Sequence, residues 1–198
     1  SEGIKSYILK GIKSGRNGKK NTALFQPLTQ LEITAQHKNK AGLSIPKTTK
    51  LSKPYQTIPY SMDKLAVVLF LSEVLNSALR EEEANASLFE FLIHSLAWFD
   101  THDYSANFHV FFLISLSKHL GFYPDVSEQN LPYFDLENGC FTAEKNVHVE
   151  SEESIVLLLK SFLGTKFDGM SQILMSSSQR QQMLDVLMRY YQCHLQGF

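Results

Sequence analysis

The sequence predicts a mainly α protein with a β-rich N-terminal part, and three observations carry that expectation. From Ser61 onward apolar residues recur at i, i+3, i+4 and i+7, in a first run without Gly or Pro. Within residues 1–53, short apolar runs with period-two stretches are separated by turn residues. Charge divides at the same place. Residues 1–53 carry eleven Lys/Arg against Glu2 and Glu32, a net of +9, while residues 54–198 carry eight against eighteen acidic groups, a net of −10. The whole-chain charge of −1 therefore describes neither part.

In chain order, Ile4 to Ile12 reads as a strand, and Ser14-Gly15-Arg16-Asn17-Gly18-Lys19-Lys20-Asn21 as a basic loop. A second strand falls within Leu24 to Gln36, where Leu28, Leu31, Ile33 and Ala35 mark one face and Thr29, Ile33 and Thr34 add β-branched residues. Leu43 to Tyr55 is a third, kept to a sheet edge by Pro46 and Pro54. Ser61 is placed as the N-cap of a helix whose apolar positions are Met62, Leu65, Ala66, Leu69, Phe70 and Val74. The acidic turn from Glu81 to Asn85 ends it, and Ser87 is placed as the cap of a second helix carrying Leu88, Phe91, Leu92, Ser95, Leu96 and Phe99. A third helix runs from Ser105 or Ala106 to His119, with Gly121 as its stop. Residues 122–150 lack a regular period, and Asn138-Gly139 signals a small hairpin flanked by Phe134 and Phe141. Helices resume at Ser151–Ser154, a short one starts at Ser171, and Ser178 is placed as the cap of the last, Gln179 to Leu195. The expected division is 1–55, β-rich, and 56–198, helical with an irregular insertion near 122–150.

No apolar run reaches the roughly 18 residues a bilayer span needs, so no membrane association is expected. Cys140 and Cys193 lie far apart without metal-ligand spacing, which suits two buried thiols in a reducing cytoplasm. Catalytic sets are missing. The glycines of Gly15-Arg16-Asn17-Gly18-Lys19-Lys20 are too close for a phosphate loop, with no hydroxyl residue after the lysines, and no serine sits in a nucleophile elbow. The chain is therefore expected not to be an enzyme. His94, His102, His109 and His119 fall in one helical region near Asp100 and Asp103, but without the i, i+4 pair of a metal site, so packed or partner-facing histidines are expected. Phe108, Phe112 and Leu116 share a helical face and are expected in the core, with Phe111 turned about 100° from Phe112 and free to line a groove.

The basic residues are the strongest functional signal. Lys10, Lys13, Arg16, Lys19 and Lys20, then Lys38 and Lys40, then Lys47, Lys50 and Lys53 recur at strand ends and loops. A small β structure would gather them around one rim that attracts phosphates with little sequence preference and strong salt dependence. The alternative is a helical protein-interaction scaffold whose lysines only keep it in solution.

Several segments together carry a family resemblance: Gly3-Ile4-Lys5-Ser6-Tyr7-Ile8 with Lys10-Gly11, Leu24-Phe25-Gln26-Pro27-Leu28, the run Leu65 to Leu75, Asn107-Phe108-His109, and Leu120-Gly121-Phe122-Tyr123-Pro124-Asp125. In this order, across nearly the whole chain, they resemble the RecO recombination-mediator family. The resemblance implies an oligonucleotide-binding (OB-fold) barrel, in which the Phe-Gln-Pro-Leu segment would be a strand, followed by a helical bundle domain. It also implies a DNA-repair mediator that binds single-stranded and duplex DNA, anneals complementary strands, and acts with RecR and single-strand-binding protein (SSB) to load RecA. Relative to the family the barrel is expected to be partial here, its first strands lying before Ser1. Some family members hold zinc with four cysteines, but only Cys140 falls in that region, so neither zinc nor another cofactor is expected. The family's helical domain receives the SSB tail, for which Phe112, Leu116, Lys118 and His119 are the candidate lining. A cytoplasmic, nucleoid-associated location follows from the same resemblance.

Overall fold

The computed structural model describes residues 3–9, 24–36, 43–79 and 84–198, and its architecture is mainly α with a β-rich N-terminal part. It divides into two compact units, Ser1–His102 and Asp103–Phe198.

In the first unit, strand β1 (Gln30–Ala35) pairs antiparallel with β2 (Pro46–Lys53). The second predicted strand is shorter than its apolar pattern, for a backbone reason. Gln26 to Thr29 form a turn closed by the Thr29 N–H on the Gln26 carbonyl at 3.2 Å, with Pro27 and then Leu28 at φ 56° in the centre. This is type II geometry, in which the third position needs a positive φ and usually holds Gly or Asn. The Phe-Gln-Pro-Leu segment is thus a turn into β1, not a strand. The expected strand from Ile4 is reduced, among the described residues, to a parallel bridge between Tyr7 and Ser44, with the Ile8 N–H donating to Ser44 O at 2.9 Å.

Beyond a 3-10 turn at Ile58–Tyr60 come helices α1 (Met62–Ala78) and α2 (Ala86–Thr101). Ser61 caps α1 as predicted, accepting from the Lys64 N–H. Its buried face, however, is Lys64, Val67, Val68, Leu71, Val74, Leu75 and Ala78, while Met62 and Leu69 of the predicted face are exposed. Leu, Val and Ala populate both sides of α1, so periodicity alone did not choose between them. The cap of α2 is Asn85 rather than Ser87, its Oδ1 accepting from the Leu88 N–H at 2.9 Å. Ser87 lies inside the first turn.

The second unit is built on α3 (Phe108–His119), buried almost all round. A three-stranded sheet of order β4-β3-β5 follows, from β3 (Tyr133–Asp135), β4 (Cys140–Thr142) and β5 (Val149–Glu150), then helices α4 (Glu153–Phe162), α5 (Phe167–Met170) and α6 (Ser177–His194). The predicted hairpin is β3–β4, with Phe134 opposite Phe141, and β5 is an additional strand. Helix α3 begins at Phe108, two or three residues later than expected, with Asn107 at its N-cap and the Asn107 side chain donating to Ile173 O rather than capping. The α6 cap is Ser176, not Ser178. A Gln follows three residues after both Ser176 and Ser178, and it is Ser176 that closes a reciprocal capping box, with Gln179. Ser171 ends the short α5 instead of starting it.

Gly121 and Gly139 both have a left-handed backbone. At Gly121, φ 87°, the Phe122 N–H reaches back to Ser117 O at 3.0 Å in a Schellman closure, and an added Cβ would meet nothing. At Gly139, φ 66°, the Cβ would fall 2.7 Å from Tyr190 Oη, which is held by donation to Phe122 O. Gly121→Ala is therefore expected to cost about 1 kcal/mol of backbone strain. Gly139→Ala should cost at least about 2–3 kcal/mol, because Tyr190 must also shift from its acceptor. Paired thermal melts of the two variants check this order.

Candidate nucleic-acid interface

Of the ten predicted phosphate-binding residues, Lys47, Lys50 and Lys53 lie on β2, and all three are exposed. Lys10, Lys13, Arg16, Lys19, Lys20, Lys38 and Lys40 lie outside the described residues, as does the loop Ser14–Asn21. The hairpin has two unlike faces. Leu31 and Leu51 stand opposite each other, as do Ile33 and Thr49. Alternation puts Glu32 with Lys50 and Thr34 with Thr48 on the other side. Two register shifts bound this regular stretch, and Lys47 and Lys53 fall at them. A bulge re-aims side chains, so the three lysines do not simply alternate. Lys50 has Glu32 directly across the ladder, which lowers its share of any phosphate attraction.

The hairpin leaves through a tightly held linker. Tyr55 Oη donates to Leu28 O at 2.7 Å and accepts from Gln30 Nε2 at 3.3 Å, tying the linker to the β1 entry turn. Immediately after, the Asp100 carboxylate accepts from the N–H groups of Gln56 at 2.7 Å, Thr57 at 2.8 Å and Ile58 at 3.0 Å. Lys64 Nζ donates to Thr57 Oγ1 at 2.6 Å and to the carbonyls of His102 at 2.5 Å and Asp100 at 3.2 Å. Asp100 and Lys64 are each only 4% exposed. Burial pushes the Asp100 carboxyl up, but the amides of Gln56, Ile58 and Thr57 and the Lys64 ammonium outweigh it, leaving the group below the usual carboxylate range. Sequence reasoning placed Asp100 only as a possible metal ligand and missed Lys64. The available signal was Lys64 itself, three, four and seven residues before Val67, Val68 and Leu71.

The four candidate partner-binding residues are not brought together as a surface. Phe112 and Leu116 are fully enclosed, which corrects their placement as lining, while Lys118 is exposed and His119 half-buried. Burial, then the Lys118 ammonium, lower the His119 pKa. Phe111 is buried too, its ring centroid 4.7 Å from that of Phe167, so it lines no open groove. A polar cluster that the sequence did not reveal joins α3 to α6. Asn107 Nδ2 donates to Ile173 O at 2.7 Å, and Arg180 Nε donates to Asn107 Oδ1 at 3.2 Å. Next to it, burial and then the Arg180 guanidinium hold the His109 pKa down to about 4.

His109 gives a pH prediction. An unfolded histidine titrates near 6.5, so between about 6.5 and about 4 the unfolded chain takes up a proton that the folded one refuses. Stability should fall as pH drops through that window, and His109→Gln should flatten that part of the dependence. Urea midpoints at pH 7.5, 6 and 5 measure it.

The other histidines have local roles. His94 Nδ1 lies 2.7 Å from Glu90 O, and the His102 ring stacks on Trp98 with centroids 4.4 Å apart. Among the described residues no group of three or more His, Cys, Asp or Glu could hold a metal ion, and no helix is long and apolar enough to cross a membrane. Cys140 and Cys193 are both free thiols. Cys140 is half-buried and Cys193 exposed, so the expected pair of buried thiols holds for neither in full.

The helices from α1 onward, without the hairpin, fall within residues 59–198, which the family model described as Recombination protein O C terminal matches. The chain belongs to that family, the RecO family of DNA repair proteins. It is similar to the DNA repair protein RecO of Flavobacterium johnsoniae, 45% identical, and of Christiangramia forsetii, 41% identical, in each case over 100% of this chain and 83% of the relative. The protein of the same name from Phocaeicola vulgatus is 34% identical over 100% of this chain and 83% of its own length.

Proposed function

We propose that this chain is a non-enzymatic mediator of recombinational DNA repair whose β-rich part binds single-stranded DNA and whose helical part docks protein partners. The observation that carries the first half is the set of exposed lysines on β2, in a segment of net charge +9. Charge neutralisation by such a surface lets two complementary strands approach, and so supports annealing, and it tolerates duplex DNA as well. In this reading the hairpin belongs to a partial oligonucleotide-binding barrel within residues 1–55, and residues 56–198 are the docking domain. RecR and the SSB C-terminal tail are the proposed protein partners, with delivery of the strand to RecA as the outcome. Lys118 and His119 remain as candidate tail contacts, and neither zinc nor another cofactor is required. The proposed location is the cytoplasm, at the nucleoid.

Titration of the full chain with a fluorescent oligo-dT at several salt concentrations tests the reading. Lys47→Ala/Lys50→Ala/Lys53→Ala should weaken binding and reduce the log–log salt slope by up to about 2, at roughly 0.7 per phosphate contact on a single strand. Arg16→Ala/Lys19→Ala/Lys20→Ala should do the same. Binding unaffected by both triples would leave the lysines as solubilising residues only.

A further inference from the structure

Between the end of β2 at Lys53 and the start of α1 at Met62 the chain is restrained at successive residues. Pro54 has a fixed φ. Tyr55 is clasped to Leu28 and Gln30 on the hairpin side, and Gln56, Thr57 and Ile58 give their N–H groups to Asp100 on the helical side. Thr57 is held a second time, its hydroxyl donating to Asp100 O and accepting from Lys64 Nζ at 2.6 Å. A stretch whose only task was to connect a hairpin to a helix would leave these amides to water. Here one buried carboxylate takes up the three amides and one buried ammonium holds the Thr57 hydroxyl, at a desolvation cost that a flexible linker would not incur.

We propose that Asp100 and Lys64 are positioning residues for nucleic-acid binding: they fix the angle at which the hairpin leaves the helices, and so where Lys47, Lys50 and Lys53 meet a strand. This rests on the single-stranded DNA reading above, and extends it to residues that touch no nucleic acid. With the latch open, the hairpin samples other orientations, and the apparent affinity falls by the fraction of time spent in the competent one.

The test uses the full chain in a Cys140→Ser/Cys193→Ser background, with spin labels on cysteines introduced at Thr34 in β1 and Asn76 in α1, both exposed. Asp100→Asn keeps the shape but turns one amide acceptor into a donor. Thr57→Val is milder, removing only the bridging hydroxyl, and it decides the matter if Asp100→Asn does not fold at 10 °C. The expected result is a label distance distribution that broadens in the variants. Oligo-dT affinity should fall about three- to tenfold at that temperature. The salt slope should be unchanged, because the phosphate contacts themselves remain. A merely structural role would lower the melting temperature and leave both distribution and affinity alone. The proposal is overturned by a distribution that stays narrow, or by one that broadens while affinity stays within twofold. If the unsubstituted chain binds no oligo-dT, the nucleic-acid reading fails by itself, and the distance distribution alone judges the latch.

Discussion

Phe112→Ala is expected to lower the unfolding free energy by about 3–5 kcal/mol, the range for deleting a fully buried phenyl group. Phe112 is 0% exposed in the middle of α3, its ring centroid 5.9 Å from that of Phe108. One residue on, Leu113 O is held by Tyr191 Oη of α6 at 2.7 Å. That hydrogen bond pins α3 against α6, so the wall around Phe112 has little freedom to collapse into the vacated volume, and the upper part of the range is expected. Urea unfolding at constant m measures it as a shift of midpoint. Lys118→Ala on the exposed face is the control and should change stability by less than about 0.5 kcal/mol. Loss of partner binding by Phe112→Ala at full stability would contradict the burial and return Phe112 to a surface role.

Phe112 also shows where the sequence was legible. Its spacing from Phe108 and Leu116 placed it correctly on an inward face, yet it was also offered as partner lining, and it cannot be both. What resolved the two readings was the all-round burial of α3, where Val110, Phe111, Leu113 and Ile114 are enclosed as well. A helix that is apolar on every side has no period to read, so periodicity could not show that Phe111 is packed against Phe167. The same limit turned α1 to the wrong face. Caps were legible where one candidate residue was offered, as at Ser61, and shifted where several were, as in Ser176-Ser177-Ser178 and Asn85-Ala86-Ser87. At those places the competing partner, Gln179 in one case and the Leu88 N–H in the other, decides.

The candidate interface was legible as charge and less so as geometry. That Lys47, Lys50 and Lys53 sit on an edge strand followed from Pro46 and Pro54. That Lys50 faces Glu32, and that Lys47 and Lys53 sit at register shifts, depends on which residues of β1 they oppose, and no pattern within one strand specifies its partner's register. Leu28 is similar: its place in the apolar pattern put it on the strand, and only the fold requires a positive φ from this leucine in a turn.

Asp100→Ala should destabilise the chain by about 3–5 kcal/mol, the cost of leaving three linker N–H groups without their charged acceptor. It leaves the N–H groups of Gln56, Thr57 and Ile58 without the carboxylate and removes a negative charge that acts on the Lys64 ammonium. Asp100→Leu combined with Lys64→Met removes both charges, and should be less damaging than the sum of the two single changes, since both side chains bond Thr57 and so do not act independently. The pH dependence separates this pair from ordinary packing. The folded Asp100 carboxyl titrates below the usual carboxylate range, so its contribution is fully present above the unfolded value of about 3.9 and is lost as pH falls through the folded one. The unsubstituted chain should therefore lose an increment of stability in acid below about pH 4 that Asp100→Ala lacks, after the His109 decline above that pH has been completed in both. Coincident acid limbs for the two proteins would mean that the carboxylate is not the group holding the linker.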